Sequence, residues 1–240
     1  MSDYYDDDEN SEVSVPLSEM RGVCSFNYNG RTVFVLADVE SVASALTEER
    51  GASRWEKNVM NREVELARQC FFIFRFRGHI WTNIIGRDTL VLELLMNQSS
   101  QKLERDELEE RLKENLRIEL NEEDARLLSF RLQTKTIFYE ISDTACALGY
   151  SIYENGNLLE RLNTDEGYEI TEWNSTIHDI TKDEIENVEA WVEQLFRDQD
   201  ALEPSIHFTR WVGYVLHEAG HKVKPTDSNN VFERTDFVAL

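Results

Sequence analysis

The sequence is poor in the residues that interrupt regular structure. Its 240 residues include only 10 glycines and 3 prolines, which argues against a loop-dominated or low-complexity chain. The hydrophobic fraction of 41% is higher than that of chains that remain disordered. Most of the chain is therefore expected to fold around a substantial core, as one large domain or two small ones.

Cysteines are also scarce, and long apolar runs are absent. Cys24, Cys70 and Cys146 are far apart and form no C-x-x-C pair, whereas small secreted domains carry paired cysteines. No apolar run approaches the roughly 20 residues of a membrane span. The acidic N-terminus lacks the basic-then-apolar order of a signal peptide. Together these features predict a cytoplasmic protein with buried thiols.

Positive charge is the scarcest feature. The chain carries 25 Lys and Arg against 47 Asp and Glu, a net charge of −22. Such a chain repels nucleic acid and anionic membranes, because both bind through Lys and Arg that neutralise phosphate. We therefore expect a basic protein as the partner, and neither nucleic acid nor a membrane. Solubility alone would also explain the charge, and an acidic mimic of nucleic acid is a further interpretation.

The charge is distributed unevenly along the chain. Residues 50–87 hold eight Arg or Lys against three Glu, whereas residues 154–203 hold three against fifteen acidic residues. The two regions either face each other in the fold or bind opposite surfaces. Residues 1–12 are acidic without any basic residue, which predicts a disordered tail. Residues 13–240 would then form a single domain, or two domains divided near residues 96–102, where the composition turns polar.

Strands and helices alternate irregularly, which favours an α+β fold. Asn29-Gly30 and Asn155-Gly156, each between β-prone runs, predict two hairpins. The sequence of residues 71–86 predicts a strand, a turn at Gly78 and a returning strand. Capping residues and apolar periodicity predict helices after Asp38, at Trp55–Arg68, at residues 101–120, after Asn121, after Thr181 and at Ile206–Lys222. The fold class is therefore α+β, with antiparallel β-hairpins packed against amphipathic helices.

The five residues His217-Glu218-Ala219-Gly220-His221 are the most specific chemical motif. Two histidines four residues apart on a helix reach one tetrahedral Zn²⁺, and the glutamate between them can activate the metal-bound water. The stretch resembles the HExxH motif of zinc metallopeptidases. The resemblance implies that His217 and His221 bind zinc and that Glu218 is the catalytic base. A third ligand would come from Asp227, Glu233 or Asp236, and the alternative is a solvated helix end.

Arg75 and Arg77 form the second candidate site, on a predicted strand. Alternating residues of a strand share a face, so the two guanidinium groups lie side by side and could hold a carboxylate, a phosphate or a partner protein. The alternative is an exposed charged face that discourages edge pairing.

No cofactor is expected, apart from zinc under the metallopeptidase interpretation, because the chain contains no G-x-G-x-x-G, phosphate loop or G-x-S-x-G sequence. The leading hypothesis is a non-enzymatic protein, regulatory in role, that works through protein–protein contacts on an acidic surface. A zinc-dependent hydrolase and a nucleic-acid mimic are the alternatives.

Overall fold

The computed structural model describes residues 15–24, 26, 29–67, 69–86, 119–204, 222–227 and 230–240. The strands within these residues are β1 (Asn29–Val35), β2 (Arg54–Glu56), β3 (Val64–Glu65), β4 (Cys70–Phe76), β5 (Thr82–Gly86), β6 (Lys135–Ser142), β7 (Ala147–Glu154), β8 (Asn157–Asp165), β9 (Glu169–Ser175), β10 (Lys222–Val223) and β11 (Phe232–Ala239). The α-helices are α1 (Val39–Arg50), α2 (Glu122–Leu132) and α3 (Val188–Asp198).

Nine of the strands form one antiparallel sheet in the order β2-β11-β4-β5-β1-β6-β7-β8-β9, and β3 pairs separately with β10. Consecutive strands from β6 to β9 are neighbours, whereas β1 lies between β5 and β6. The described residues combine helices with an antiparallel sheet, so the α+β class expected from the sequence is confirmed.

Both faces of the central strands are buried. On β4, Phe71 and Ile73 pack with α1 and α2 on one face, while Phe72, Phe74 and Phe76 lie in a second cluster on the other face. Along the same second face, α3 covers β6, β7 and β8. Alternation along β4 therefore does not separate a core side from a solvent side.

The helix ends follow the local signals in the sequence. The Asp38 carboxylate accepts a hydrogen bond from Ser41 N at 2.9 Å and begins α1, and Gly51 ends that helix in the left-handed conformation with φ 61°. Asn121 and Asp124 form a reciprocal capping box at the start of α2. The predicted starts of both helices are confirmed, because capping depends only on residues three positions apart.

The two Asn-Gly pairs have different outcomes. Asn155 and Gly156 both have positive φ, 53° and 83°, and connect β7 to β8 as predicted. Asn29-Gly30 instead begins β1, whose two edges are taken by β5 and β6. The hairpin predicted there is wrong, because pairing with strands distant in sequence replaces pairing with the preceding residues.

The helix predicted at Trp55–Arg68 is also wrong. Trp55 lies in β2 opposite Val238, and Asn58 and Asn61 have positive φ, which ends any helical run. The Thr181–Glu184 capping box is present, but it caps a 3₁₀ turn. The helix that follows begins at Val188, where the Asn187 side chain accepts from Ala190 N at 2.9 Å.

Four expectations lie wholly or mainly outside the described residues: the tail at 1–12, the helix at 101–120, the division near 96–102 and the helix at 206–222. Strands that precede residues 96–102 and strands that follow them belong to the same sheet. The single domain at 13–240 stays a prediction. Within the described residues, no helix has the length and apolar character needed to cross a membrane.

The turn after β4 contains a buried histidine. Gly78 turns the chain with φ 81°, and His79 Nε2 donates to the Leu17 carbonyl oxygen at 2.9 Å. Burial lowers the pKa of His79 below its ordinary value of about 6.5, and the nearby Arg21 acts in the same direction, against the hydrogen bond to Leu17. The neutral imidazole is therefore the form that the folded protein favours.

Because the pKa of His79 is lower in the folded than in the unfolded chain, its contribution to stability is complete above about pH 6.5 and is lost as the pH falls through the folded value. We expect the free energy of unfolding to decline between pH 7.5 and pH 5.5, by no more than about 1.4 kcal/mol per pH unit for this one group. His79→Gln keeps a donor for Leu17 but does not titrate, so its decline should be shallower. Urea unfolding of both proteins across this range measures the difference, and equal slopes would contradict the assignment.

Candidate functional site

A buried carboxyl group organises the end of the sheet formed by β8 and β9. The Glu160 side chain is fully buried, and it accepts hydrogen bonds from Tyr150 Oη at 2.8 Å, Ser175 Oγ at 2.5 Å and His178 Nδ1 at 2.6 Å. Trp191 Nε1 donates to Tyr150 Oη at 2.8 Å. This Glu160 network joins β7, β8, β9, the segment after β9 and α3.

The network fixes the path of the chain after β9. Ser175 Oγ also accepts from the backbone nitrogens of Ile177 and His178, at 3.1 and 2.8 Å, so the turn that leaves β9 is tied to the same carboxyl group. Burial and the charge of Glu160 raise the pKa of Tyr150. Tyr150 therefore remains a phenol that donates to Glu160 over the whole physiological range.

An open cleft of about 470 Å³ lies between the start of β9 and the start of α3. Ile170, Ile185 and Val188 contribute apolar surface to it. Its charged lining residues are Glu169, Asp183, Glu186, Glu189 and Lys182. Four carboxylates against one ammonium group make this acidic cleft suited to a cationic group with an apolar stem, such as a lysine or arginine side chain.

Tyr168 lines the same cleft in an uncommon backbone conformation, with φ 63°. Burial and the neighbouring Glu189 carboxylate raise the pKa of Tyr168 to about 12. The phenol of Tyr168 therefore keeps its proton at neutral pH.

Most carboxylates of residues 165–200 have no cationic partner among the described residues. Ion pairs join Glu172 to Arg161, Glu193 to Arg197 and Asp200 to Arg21. Between residues 165 and 186, seven exposed carboxylates make no ion pair with any described Lys or Arg: Asp165, Glu166, Glu169, Asp179, Asp183, Glu184 and Glu186. We call these seven residues the acidic face.

Five of the six described basic residues in the stretch 50–87 instead pair with carboxylates of the fold: Arg50, Arg54, Lys57, Arg62 and Arg75. Arg50 binds Asp124 in a largely buried pair, Lys57 binds Glu40 at 2.5 Å, and Arg62 lies 3.4 Å from Glu56. The two oppositely charged stretches that the composition distinguishes therefore do not pair with each other through these residues. The carboxylates that pair with these cations lie outside the acidic face, whose seven residues make no ion pair with a described residue.

Arg75 and Arg77 both find acceptors at or next to β11. Arg75 donates from Nε and Nη2 to the two oxygens of Glu233, at 2.8 and 2.6 Å. Arg77 donates to the backbone oxygen and the side-chain oxygen of Asn230, both at 2.9 Å. An external anion would have to displace these partners. The role of Arg75 and Arg77 in binding an anion or a partner stays a prediction.

His217, Glu218 and His221 lie outside the described residues, so the zinc motif stays a prediction. The carboxylates considered as its third ligand already have partners. Asp227 accepts from the backbone nitrogens of Val231 and Phe232, and Glu233 pairs with Arg75. No group of three or more His, Cys, Asp or Glu side chains within the described residues is arranged to hold a metal ion.

Asp236 is the most constrained of the three carboxylates. It is completely buried and accepts from Trp55 Nε1 at 2.9 Å, Asn58 N at 3.0 Å and both Nε and Nη2 of Arg234 at 2.8 Å. The bidentate pair with Arg234 is part of this arrangement. Asp236 therefore ties the residues after β2 to β11 and has the contacts of a structural group.

No disulfide joins the three cysteines, which lie in different environments. Cys70 is buried as expected, Cys24 is half-buried, and Cys146 is exposed, which corrects the expectation of buried thiols at that position. Burial and the nearby Glu203 raise the pKa of Cys24 to about 12, so it is a thiol rather than a thiolate at neutral pH.

The sequence did not single out the Glu160 network. Glu160 shares a strand face with Leu162, which packs in the core, and an acidic residue in phase with apolar ones is the only local signal. Ser175 and His178 lie between exposed residues. Only the pairing of β8 with β9 and the packing of α3 bring the members together.

No protein-family model, curated protein or solved structure matches the chain.

Proposed function

We propose that this protein is a cytoplasmic, non-enzymatic binding protein, regulatory in role, whose partner is a basic protein. The partner would contact the acidic face and insert lysine or arginine side chains into the acidic cleft. In this proposal the β7–β8 and β8–β9 hairpins, packed against the amphipathic α3, present that surface as a rigid unit.

The observation that supports the proposal most directly is the difference between the two charged stretches. Of the six described basic residues in 50–87, five have carboxylate partners and the sixth, Arg77, donates to Asn230. The seven carboxylates of the acidic face have no ion pair with a described residue. Unneutralised charge of one sign steers association with a partner of opposite sign and sets which partners are rejected. A cleft with apolar walls beside those carboxylates adds a place for side-chain contact.

The test compares two variants that remove the same charge at different places. Glu169→Gln/Asp183→Asn/Glu186→Gln neutralises the cleft, and Glu19→Gln/Glu65→Gln/Glu154→Gln neutralises three exposed carboxylates elsewhere. Each is used to recover partners from native lysate at low salt. We expect a basic protein to be recovered with the wild type and the second variant, to be lost with the first, and to dissociate in high salt because screening weakens exposed charge interactions.

Two outcomes would contradict the proposal. One is that no basic protein is recovered with any of the three proteins. The other is equal recovery with both variants, since the contact would then depend on total charge and not on the cleft.

The HEAGH motif at 217–221 is the observation that favours a second candidate, a zinc-dependent hydrolase similar to metallopeptidases. In this candidate His217 and His221 bind the metal and Glu218 activates water. Metal analysis of protein purified without chelator, beside His217→Ala/His221→Ala, decides it. About one zinc per chain that is lost in the variant would support it, and Glu218→Gln should then abolish hydrolysis while keeping the metal.

A mimic of nucleic acid is the third candidate, because its partner would also be a basic protein. It predicts that added DNA displaces the protein from that partner. Displacement by DNA would favour the mimic over the first proposal, and retention in the presence of DNA would exclude it.

A further inference from the structure

Among the described strands, β9 leaves one edge of the sheet without a partner. Strand β9 ends the strand order and pairs only with β8 among the described residues. It contains seven residues, whereas β2 at the opposite edge contains three. A strand at the edge of a sheet presents a row of unpaired N–H and C=O groups that another extended chain can join.

The register shows which backbone groups face outward. Thr176 N donates to Leu159 O at 2.8 Å, directly after the pair formed by Ser175 and Glu160. Hydrogen-bonded and non-hydrogen-bonded pairs alternate in an antiparallel ladder. Since the pair that contains Thr176 is hydrogen-bonded, Trp173 and Ser175 direct their N–H and C=O groups away from β8, toward the open edge.

The C-terminal half of β9 is held in place by side-chain contacts on the side of the sheet that faces the core. Trp173 Nε1 donates to Ile180 O at 2.9 Å, and its ring packs edge-on against Trp191 with centroids 5.6 Å apart. Ser175 Oγ is bound to Glu160. An edge that is already ordered loses little conformational entropy when a further strand is added, which favours binding.

The charges around the edge select its occupant. Glu169 is exposed on β9, Asp165 and Glu166 precede it, and none of the three has an ion pair with a described residue. A second copy of this chain would place like charges opposite each other, which is unfavourable in a strand pair. A strand that carries lysine or arginine would instead place opposite charges there. Ile177 lies two residues after the end of β9 and is 42% exposed, so it offers an apolar contact to the side chains of the added strand.

We propose that β9 is the docking edge of the protein and that it pairs with an extended segment of the partner in which basic residues alternate with apolar ones. The added strand receives hydrogen bonds from the outward N–H groups of Trp173 and Ser175 and donates to their carbonyl oxygens. The inference rests on the proposed function, since it specifies how the basic partner is held.

The experiment uses two synthetic peptides and the full-length protein. The first is a seven-residue acetylated and amidated peptide of alternating lysine and valine, the same length as β9. The second has the same side chains and charge, but every backbone nitrogen is methylated, so it has no hydrogen-bond donors along the strand. Affinities are measured by titration calorimetry at low salt, and amide hydrogen exchange is followed by NMR.

We expect the unmethylated peptide to bind about tenfold or more tightly than the methylated one, because only it can form the ladder. The amides of Trp173 and Ser175 should exchange more slowly in its presence. Glu169→Gln/Asp183→Asn/Glu186→Gln should weaken binding, and the matched Glu19→Gln/Glu65→Gln/Glu154→Gln variant should weaken it less.

The outcomes separate the two proposals. Equal affinity for both peptides, without protection of Trp173 and Ser175, would overturn strand addition and leave the acidic-surface function standing. Failure of both peptides to bind would overturn both proposals. A concentration-dependent dimer that protects Trp173 and Ser175 without any peptide would assign the edge to a second copy and overturn the choice of a basic strand.

Discussion

Replacing Glu160 by alanine is expected to lower the free energy of unfolding by about 3–5 kcal/mol. The substitution removes the acceptor of Tyr150 Oη, Ser175 Oγ and His178 Nδ1 at a side chain that is fully buried. A buried donor left without an acceptor bears its full desolvation cost. Urea unfolding monitored by tryptophan fluorescence measures the effect.

Glu154→Ala is the matched control, since it removes an exposed carboxylate from the adjacent strand β7. Its effect should remain within about 0.5 kcal/mol. Should Glu160→Ala fail to fold, Ser175→Ala removes one donor of the network and two backbone contacts, with an expected cost of about 1–3 kcal/mol. A loss below about 1 kcal/mol for Glu160→Ala would show that the network does not stabilise the fold.

Replacing Asp236 by asparagine is expected to cost a similar amount, about 3–5 kcal/mol. The shape of the side chain is conserved, but one acceptor oxygen becomes an amide donor. That donor would face Trp55 Nε1, Asn58 N or the Arg234 guanidinium, all of which donate to Asp236. The Asp236 side chain is completely buried, whereas the Arg234 side chain is partly exposed. Removing the charge of Asp236 leaves the Arg234 guanidinium without this buried partner.

Glu233→Gln on the same strand is the control for Asp236→Asn. Glu233 is 44% exposed and pairs with Arg75, so its loss should cost at most about 1 kcal/mol. The free energy of unfolding of the wild type and of both variants is measured with and without a chelator. The cost of Asp236→Asn should be the same in both conditions. If chelator instead reduced the wild type to the stability of the variant, Asp236 would be a metal ligand and its structural assignment would be wrong.

The two carboxyl groups stabilise opposite ends of the same sheet. Asp236 anchors β2 and β11 near one edge, and Glu160 anchors β9 at the other. At the edge formed by β9, the side chains of Trp173 and Ser175 hold the strand and point toward the core. No described strand pairs with the outer side of β9, toward which Trp173 and Ser175 direct their backbone groups.

Local signals in the sequence determined the helix starts at Asp38 and Asn121, the turn at Asn155-Gly156 and the α+β class. Each of these depends on residues within a few positions of one another, where capping geometry and turn conformation leave few alternatives. The net charge and its concentration at residues 154–203 were equally determined, because they are sums over side chains.

Only the tertiary structure decided which strands pair and which charges remain without a partner. Asn29-Gly30 became the start of a central strand because both residues pair with β6, while β5 takes the other edge of β1 from Thr32 onward. Trp55 joined β2 because β11 and Asp236 were close to it. The Glu160 network unites residues of β7, β8, β9 and α3 that no spacing rule connects. Long-range pairing depends on the summed packing of many distant residues, so a pattern confined to one segment does not contain it.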